Sequence, residues 1–429
     1  KVVAIVTGSA SWKQGELKAG DLILKVAQGD DEAVDIVDMR LDEAVKLIRG
    51  KKGTKVRLSV NKIDGSIIEI SIIRDVVIIE ETYAKSALIK DKDEKKTIGY
   101  INLPRFYVDF NDPKGRNCAD DITKELEKLK NANIDGLIFD LRNNGGGSLP
   151  DVVKIAGLFI EKGPIVQIKS RYGNPEVLRD LDSEVNYNGP LVILVNEFSA
   201  SASEIFAAAM QDYERAIIIG STSTFGKGTV QRFFDLDKFS NAQANDFKPL
   251  GAIKVTTQKF YRINGDATQL KGVKPDIILP DIYSYMEIGE KEMDYPMQWS
   301  EISAVQYKPW VSTYSIEDLK NNSKGRIKSN STFKLIDENA ERLKKQRDDT
   351  KQTLNLDKYR KAQEELKIST KDFNEKIKQP TGVTVFSLSE DLLQINSDTS
   401  KIARTKDWHV ELKKDNYIKE AFTILGEIK

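Results

Sequence analysis

The stretch "PLVILVNEFSASASEIFAAAMQ" at residues 190–211 decides the fold, because an apolar strand runs directly into a helix. Residues 191–195 are all apolar and indicate a strand covered on both faces, as in a parallel sheet. The alanine-rich run that begins at residue 202 indicates the helix. A strand-to-helix turn of this kind can hold a side chain exposed at the positive end of a helix. Ser201 lies at this turn and is therefore a candidate nucleophile.

Helix capping offers a second explanation for Ser201. Ser201 and Glu204 have the S-x-x-E spacing of a capping box, in which each side chain accepts a hydrogen bond from the backbone N–H of the other residue. Capping alone explains both residues. The choice between the two interpretations depends on whether the chain supplies a base for the serine proton.

The alternation of strands and helices extends from residue 77 to residue 310 and predicts an α/β core. Residues 1–76 predict a small β-rich unit with one amphipathic helix, and the predicted strands include residues 1–6. Residues 311–429 are rich in Lys, Glu, Asn and Ser and predict solvated helices. We therefore expect three domains, namely a β domain, an α/β core and a mainly helical C-terminal domain.

The composition excludes several classes of protein and of site. Lys plus Arg and Asp plus Glu are balanced at 66 each, so the net charge indicates neither a nucleic acid nor an anionic membrane as a partner. No apolar run is long enough to predict a membrane span. Cys118 is the only cysteine and His409 the only histidine, which leaves no internal disulfide and no metal site built from these residues. We expect neither a metal nor a cofactor.

A serine nucleophile without a histidine can use a lysine whose pKa is lowered by burial. Lys227, in "STFGKGTVQ", lies between two glycines, and no acidic residue occurs from residue 220 to residue 234. If residues 227–231 are extended, Lys227 and Gln231 share a face, and Gln231 can orient the lysine without adding charge. The alternative is an exposed lysine in a glycine turn.

A phosphate-binding loop is the second alternative for this segment. It requires four residues between its glycines and a Ser or Thr after the lysine. Here five residues separate Gly220 from Gly226, and Gly228 follows the lysine. The spacing therefore argues against nucleotide binding.

Three consecutive glycines in "DLRNNGGGS", residues 140–148, follow the strand predicted from "DGLIFDL". Glycine runs are costly in conformational entropy, and they suit a position where backbone N–H groups must face a ligand. An oxyanion hole needs such donors. Arg142 fits a structural ion pair as well as a substrate contact.

Four motifs in this order, "DLRNNGGG", "FSASASEIFAAAMQDYERA", "STFGKGTVQ" and "QKFYRINGDATQLKGVKPDI", resemble the tail-specific, or C-terminal processing, serine proteases. The resemblance implies a crotonase-like α/β core, a PDZ domain that recognises the C-terminal tails of substrates, and a serine endopeptidase activity without a cofactor. It also implies a bacterial cell-envelope location, periplasmic where two membranes are present. A catalytically idle peptide-binding scaffold on the same fold is the alternative.

The resemblance also implies roles for individual residues. Ser201 would be the nucleophile and Lys227 the general base, with Gln231 supporting the lysine. The backbone N–H groups of Ala202 and of the Gly146–Gly147 region would form the oxyanion hole. Three further residues match family positions, although capping, helix-terminal and loop roles explain them as well: Glu204, Asp212 and Thr224.

Two departures from the family pattern modify these expectations. The loop "GSTSTFGKG" is one residue longer before Lys227 than the usual spacing. In PDZ domains the carboxylate-binding loop and its strand precede the segment that matches "KVVAIVTGSASWKQGELKAGD", whereas this chain begins with that segment. We therefore expect an N-terminally incomplete peptide groove and weaker tail binding than in a chain extended upstream.

Overall fold

The computed structural model describes residues 1–75, 82–93, 95–109, 112, 114–239 and 247–428. The predicted domain boundary at residue 76 lies outside these residues. The chain divides into two compact units, residues 1–80 with 389–411 and residues 81–388 with 412–429.

The first unit contains a four-stranded antiparallel sheet in the order β2-β1-β3-β4. Its elements are α1 (Ala10–Gln14), β1 (Leu22–Gln28), β2 (Val34–Asp35), α2 (Leu41–Ile48), β3 (Lys55–Asn61) and β4 (Ile67–Ile73). Inward-facing side chains such as Val26, Leu58 and Ile70 are buried in one apolar cluster. The strand predicted at residues 1–6 is wrong, because these residues form no strand. Val2 exchanges backbone hydrogen bonds with Gly20 and Asp21, and the Val6 carbonyl accepts from the Ser9 N–H in a turn.

The second unit is built on a seven-stranded sheet in the order β14-β11-β10-β7-β6-β5-β15. The ladder from β14 to β6 is parallel, and β5 and β15 add antiparallel pairs at one edge. These strands are β5 (Lys85–Lys90), β6 (Thr97–Asn102), β7 (Gly136–Asp140), β10 (Leu191–Val195), β11 (Ile217–Gly220), β14 (Ile277–Ile278) and β15 (Thr384–Phe386). Every residue of β7, β10 and β11 is buried, as the continuous apolar runs predict.

Three helices pack around this sheet: α3 (Cys118–Asn131), α4 (Leu149–Gly157) and α5 (Ala202–Asp212). Phe139 of β7, Phe159 and Phe206 of α5 meet in the buried core between them. A second sheet, in the order β12-β13-β8-β9, is antiparallel. It consists of β8 (Gly163–Ser170), β9 (Glu176–Asp180), β12 (Thr229–Asp235) and β13 (Ala252–Tyr261). The predicted mixed α/β class is confirmed.

The C-terminal part of the chain is mainly helical, as predicted. Its helices are α6 (Ile316–Ser329), α7 (Ser331–Asp348), α8 (Leu356–Ile377), α9 (Ser389–Ile395), α10 (Thr399–Lys414) and α11 (Asn416–Glu427). Helix α11 packs against β7 and β10 in the second unit. Within the described ranges, no helix combines the length and the apolar character that crossing a bilayer requires.

Candidate active site

The turn between β10 and α5 holds Ser201 in an unusual backbone conformation, with φ 58° and ψ −111°. A positive φ at a residue other than glycine costs of order 1–3 kcal/mol and persists only where neighbouring contacts enforce it. One such contact is the hydrogen bond from the Ala200 N–H to the Asn144 carbonyl oxygen, at 3.0 Å. Ser201 is half-buried, and the first turn of α5 follows it directly.

The neighbouring serines are structural. Ser199 is fully buried, and its hydroxyl donates to the Leu141 carbonyl oxygen at 2.8 Å. Ser203 is also fully buried and donates to the Asn144 carbonyl oxygen at 2.8 Å. Of the three serines in the motif, Ser201 is the one whose side chain is accessible to a substrate.

The Glu204 carboxylate connects the serine turn with the lysine loop. Its Oε2 accepts hydrogen bonds from the Ser201 N–H at 2.7 Å and from the Lys227 N–H at 2.9 Å. Its Oε1 accepts from the Thr224 hydroxyl and the Gly226 N–H, both at 2.7 Å. Burial raises the pKa of Glu204 to about 7, while these hydrogen bonds favour the charged form. The longer loop before Lys227 therefore still brings this residue to the nucleophile turn.

Thr224 and Asp212 have different positions relative to this turn. The buried Thr224 hydroxyl also accepts a hydrogen bond from the Val273 N–H at 2.7 Å, so it fixes the loop that carries Lys227. Asp212 lies at the C-terminal end of α5, the end remote from Ser201, where it pairs with Arg262 at 2.5 Å. The structure therefore shows Asp212 in a structural ion pair at the end of the helix.

Lys227 is half-buried, and its amine donates to Gln231 Oε1 at 3.2 Å. Gln231 is exposed on β12 and makes this contact without adding a charge. Burial lowers the pKa of Lys227, and the positive charge of Lys254 lowers it further, whereas Glu290 and Glu204 act in the opposite direction. The net lowering of its pKa makes the neutral amine, the form that can accept a proton, more accessible than in an exposed lysine.

The glycine loop lies directly against Ser201. A Cβ atom added at Gly146, where φ is +94°, would lie 2.6 Å from the Ala200 carbonyl oxygen and 2.8 Å from the Ser201 Cβ. The Gly146 N–H donates to Asn144 Oδ1 at 2.9 Å. Gly146 is thus a close-approach residue whose N–H already has an acceptor in this structure. The oxyanion roles of Gly146, Gly147 and Ala202 stay predictions, and the N–H groups of Gly147 and Ala202 are the ones we carry forward.

Arg142 is half-buried and makes ion pairs with two aspartates. Its guanidinium binds Asp140 at 2.5 Å and Asp415, the N-cap of α11, at 2.9 Å. Of the two roles that the sequence allowed for Arg142, a structural ion pair and a substrate contact, the structure shows the ion pair. These contacts attach the start of the glycine loop to the C-terminal helix.

Asn144 is a residue of the site that sequence reasoning missed. Its side-chain oxygen accepts from Gly146, its amide donates to the Leu103 carbonyl at 2.7 Å, and its own carbonyl accepts from Ala200 and Ser203. Its position beside the glycine run in "RNNGGGS" was the available signal. Within the described part of the chain, no group of His, Cys, Asp and Glu side chains could hold a metal ion.

Gly146→Ala is expected to lower turnover by about a hundredfold. The new methyl group would push the Ser201 hydroxyl out of line with the substrate carbonyl, and a displacement of about 1 Å is enough for a loss of this size. Gly145→Ala is the matched control, since a Cβ atom at Gly145 meets nothing within 4 Å. Steady-state hydrolysis by the two variants checks this expectation. Equal activities would contradict the close approach of the loop to Ser201.

Three family models match the chain. The model described as Peptidase family S41 matches residues 97–279, which include both motifs of the site. The model described as the C-terminal domain of tail specific protease matches residues 283–429. The model described as PDZ domain matches residues 1–61.

Curated relatives cover most of the chain. The tail-specific protease of Haemophilus influenzae is 40% identical over 385 residues, which are 88% of this chain and 53% of that protein. The carboxy-terminal processing protease CtpA of Bacillus subtilis is 31% identical over 364 residues, 80% of this chain and 71% of that protein. The chain therefore spans about half the length of the Haemophilus relative.

Proposed function

Because this chain belongs to peptidase family S41, among the C-terminal processing proteases, we propose that it is a serine endopeptidase with a Ser201–Lys227 dyad. The observation that carries the proposal is the Glu204 carboxylate, which binds the backbone N–H groups of both residues at one oxygen atom. The nucleophile and its base are thus held by one buried group. The exposed Gln231 orients the lysine amine by accepting a hydrogen bond from it.

In the proposed reaction, the Ser201 hydroxyl attacks the carbonyl carbon of the scissile peptide bond and gives its proton to the neutral Lys227 amine. Backbone N–H groups of Ala202 and Gly147 stabilise the oxyanion of the tetrahedral intermediate. When the C–N bond breaks, Lys227 returns the proton to the leaving amine, and an ester is left on Ser201. Lys227 then takes a proton from water as the water oxygen attacks the ester carbon. When the ester C–O bond breaks, Lys227 returns this proton to the Ser201 oxygen and the new carboxylic acid leaves.

We propose proteins with exposed C-terminal tails as substrates. The support is the PDZ match at residues 1–61, since PDZ domains bind an extended chain end by adding a strand to a sheet edge. A location in the bacterial cell envelope, periplasmic where two membranes are present, is part of the proposal and rests on the resemblance to the tail-specific proteases.

A substrate pair that differs only in its tail tests this function. The full chain is incubated with a reporter protein that ends in an apolar tail and with the same protein ending in two aspartates, and the fragments are identified by mass spectrometry. We expect internal cuts, made faster in the protein with the apolar tail. Binding of the apolar tail without any cut would favour the idle scaffold instead, and equal rates would contradict recognition through the tail.

A further inference from the structure

The strands β12 and β13 form a ribbon next to the base. Strand β12 begins at Thr229, two positions after Lys227, and residues 252–256 of β13 are all exposed. The ribbon therefore extends from the site into solvent, and its two faces carry different side chains. Charged side chains on the face of the ribbon that contacts Lys227 can change the protonation of the dyad.

Strand register shows which residues share that face. Gln231 lies opposite Thr256, and Phe233 lies opposite Lys254. Residues directly opposite each other, and residues two apart along one strand, lie on the same face. Gln231 contacts the Lys227 amine and also approaches the Thr256 hydroxyl at 3.5 Å. Lys254 is therefore one rung of the ribbon beyond the pair that orients the base.

A contact with an aromatic ring holds Lys254 at this position. Its Nζ lies 5.6 Å from the centroid of the Phe233 ring, within the range of a cation–π interaction. Phe233 is 73% exposed, so an apolar ring that would otherwise face water supports the ammonium group. The positive charge is thereby kept on the face of the ribbon that carries Gln231.

We infer that Lys254 is a positioning residue for the Ser201–Lys227 dyad, whose ammonium group repels a proton on Lys227 and favours the neutral base. This inference rests on the proposed function, because the charge of Lys254 affects catalysis only if Lys227 is the general base. A second cation is one of the established ways in which a lysine is kept neutral in an enzyme. Because Lys254 is exposed, its charge can be changed without removing a buried contact.

Other groups near Lys227 also affect the protonation of its amine. Glu204 accepts a hydrogen bond from its backbone N–H, and Gln231 accepts one from its amine. Glu290, which accepts a hydrogen bond from Gln269 at 3.3 Å, attracts the charged amine electrostatically. Both carboxylates oppose the effect of Lys254 on the pKa of Lys227, whereas burial acts with it. Lys254 thus offsets negative charges that would otherwise stabilise the protonated amine.

Trace acetylation with acetic anhydride measures this effect directly, because only neutral amines react. The reaction is run over a range of pH in the Ser201→Ala background, and labelling of Lys227 is followed by peptide mass spectrometry. Lys254→Gln is expected to move the labelling midpoint of Lys227 to higher pH, and Lys254→Glu to move it about twice as far, since the change in charge is doubled. Lys254→Arg should leave the midpoint in place. Identical midpoints in all four proteins would overturn the inference.

Arg232→Gln is the matched control, because it removes one positive charge from the opposite face of the same ribbon, where Arg232 pairs with Val255. We expect no shift in this variant, and a shift as large as that of Lys254→Gln would overturn the inference in favour of a general charge effect. High salt should reduce the difference between Lys254→Gln and the parent protein, since exposed charges are screened.

A second arm follows the acid limb of the kcat/KM profile in the chain that retains Ser201. This limb should move in the same direction as the labelling midpoint. Absence of hydrolysis would contradict the proposed function, whereas the labelling arm would still decide the role of Lys254. The two failures are therefore distinguishable.

Discussion

Ser201→Ala is expected to abolish peptide hydrolysis, with a loss of about 10⁴-fold or more in kcat, while the affinity for substrate stays nearly unchanged. The hydroxyl forms the bond to the substrate carbonyl and does not anchor the chain, so binding survives its removal. The hydrogen bond from the Ser201 N–H to Glu204 is also kept, because alanine retains the backbone donor. Hydrolysis and peptide binding measured on the same preparation check both halves of this expectation.

The neighbouring serines serve as controls on the same turn. Ser203→Ala loses the buried hydrogen bond to Asn144 and should lower the free energy of unfolding by about 1 kcal/mol, with most of the activity retained. Ser199→Ala loses its bond to Leu141 and should behave similarly. A folded, inactive Ser203→Ala protein beside an active Ser201→Ala protein would show that the nucleophile has been assigned to the wrong residue.

Lys227→Arg should be as inactive as Lys227→Ala, with a loss of about 10²- to 10⁴-fold, the range that a general base contributes. Arginine keeps the positive charge and most of the length, but its guanidinium cannot give up a proton in a protein. The variant therefore keeps a long basic side chain at this position, in its charged form, while the base is lost. Steady-state hydrolysis by the two variants measures this.

The pH dependence of the parent protein has a defined sign. Lys227 must be neutral to act, and burial lowers its pKa, so kcat/KM should rise with pH and level off above that pKa. His409→Ala should keep the parental profile, because the single histidine has no part in the dyad. Substantial activity in Lys227→Arg, or a folded but inactive His409→Ala protein, would contradict the assignment.

Residues within one local motif could be predicted from the sequence. Ser201 is marked by the apolar strand and the helix that flank it, and Lys227 and Gln231 by a neutral, glycine-bounded segment with strand spacing. The chemical requirement for a base without histidine connected the two motifs. The α/β core could be predicted from continuous apolar runs, and the structure shows every residue of the corresponding strands β7, β10 and β11 buried.

Contacts between distant segments could not be predicted in this way. Local capping already explains Glu204. The sequence around it does not indicate that three hydrogen-bond donors from residues 224–227 also bind its carboxylate. The Asn144 hydrogen bonds and the pairing of Arg142 with Asp415 likewise join segments that only the folded chain brings together. The hydrogen bond from the Gly146 N–H to Asn144 could not be predicted for the same reason, since its acceptor is a side chain whose orientation the sequence does not fix.

Covalent trapping of the nucleophile tests the central claim, a Ser201 activated by a neutral Lys227, most directly. The full chain and Lys227→Arg are treated with a fluorophosphonate over a range of pH, and the modified serine is located by peptide mass spectrometry. The account predicts an adduct on Ser201 that forms faster as pH rises through the lowered pKa of Lys227, and almost none in Lys227→Arg. An adduct on another serine, or equal rates of modification of Ser201 in both proteins, would contradict it.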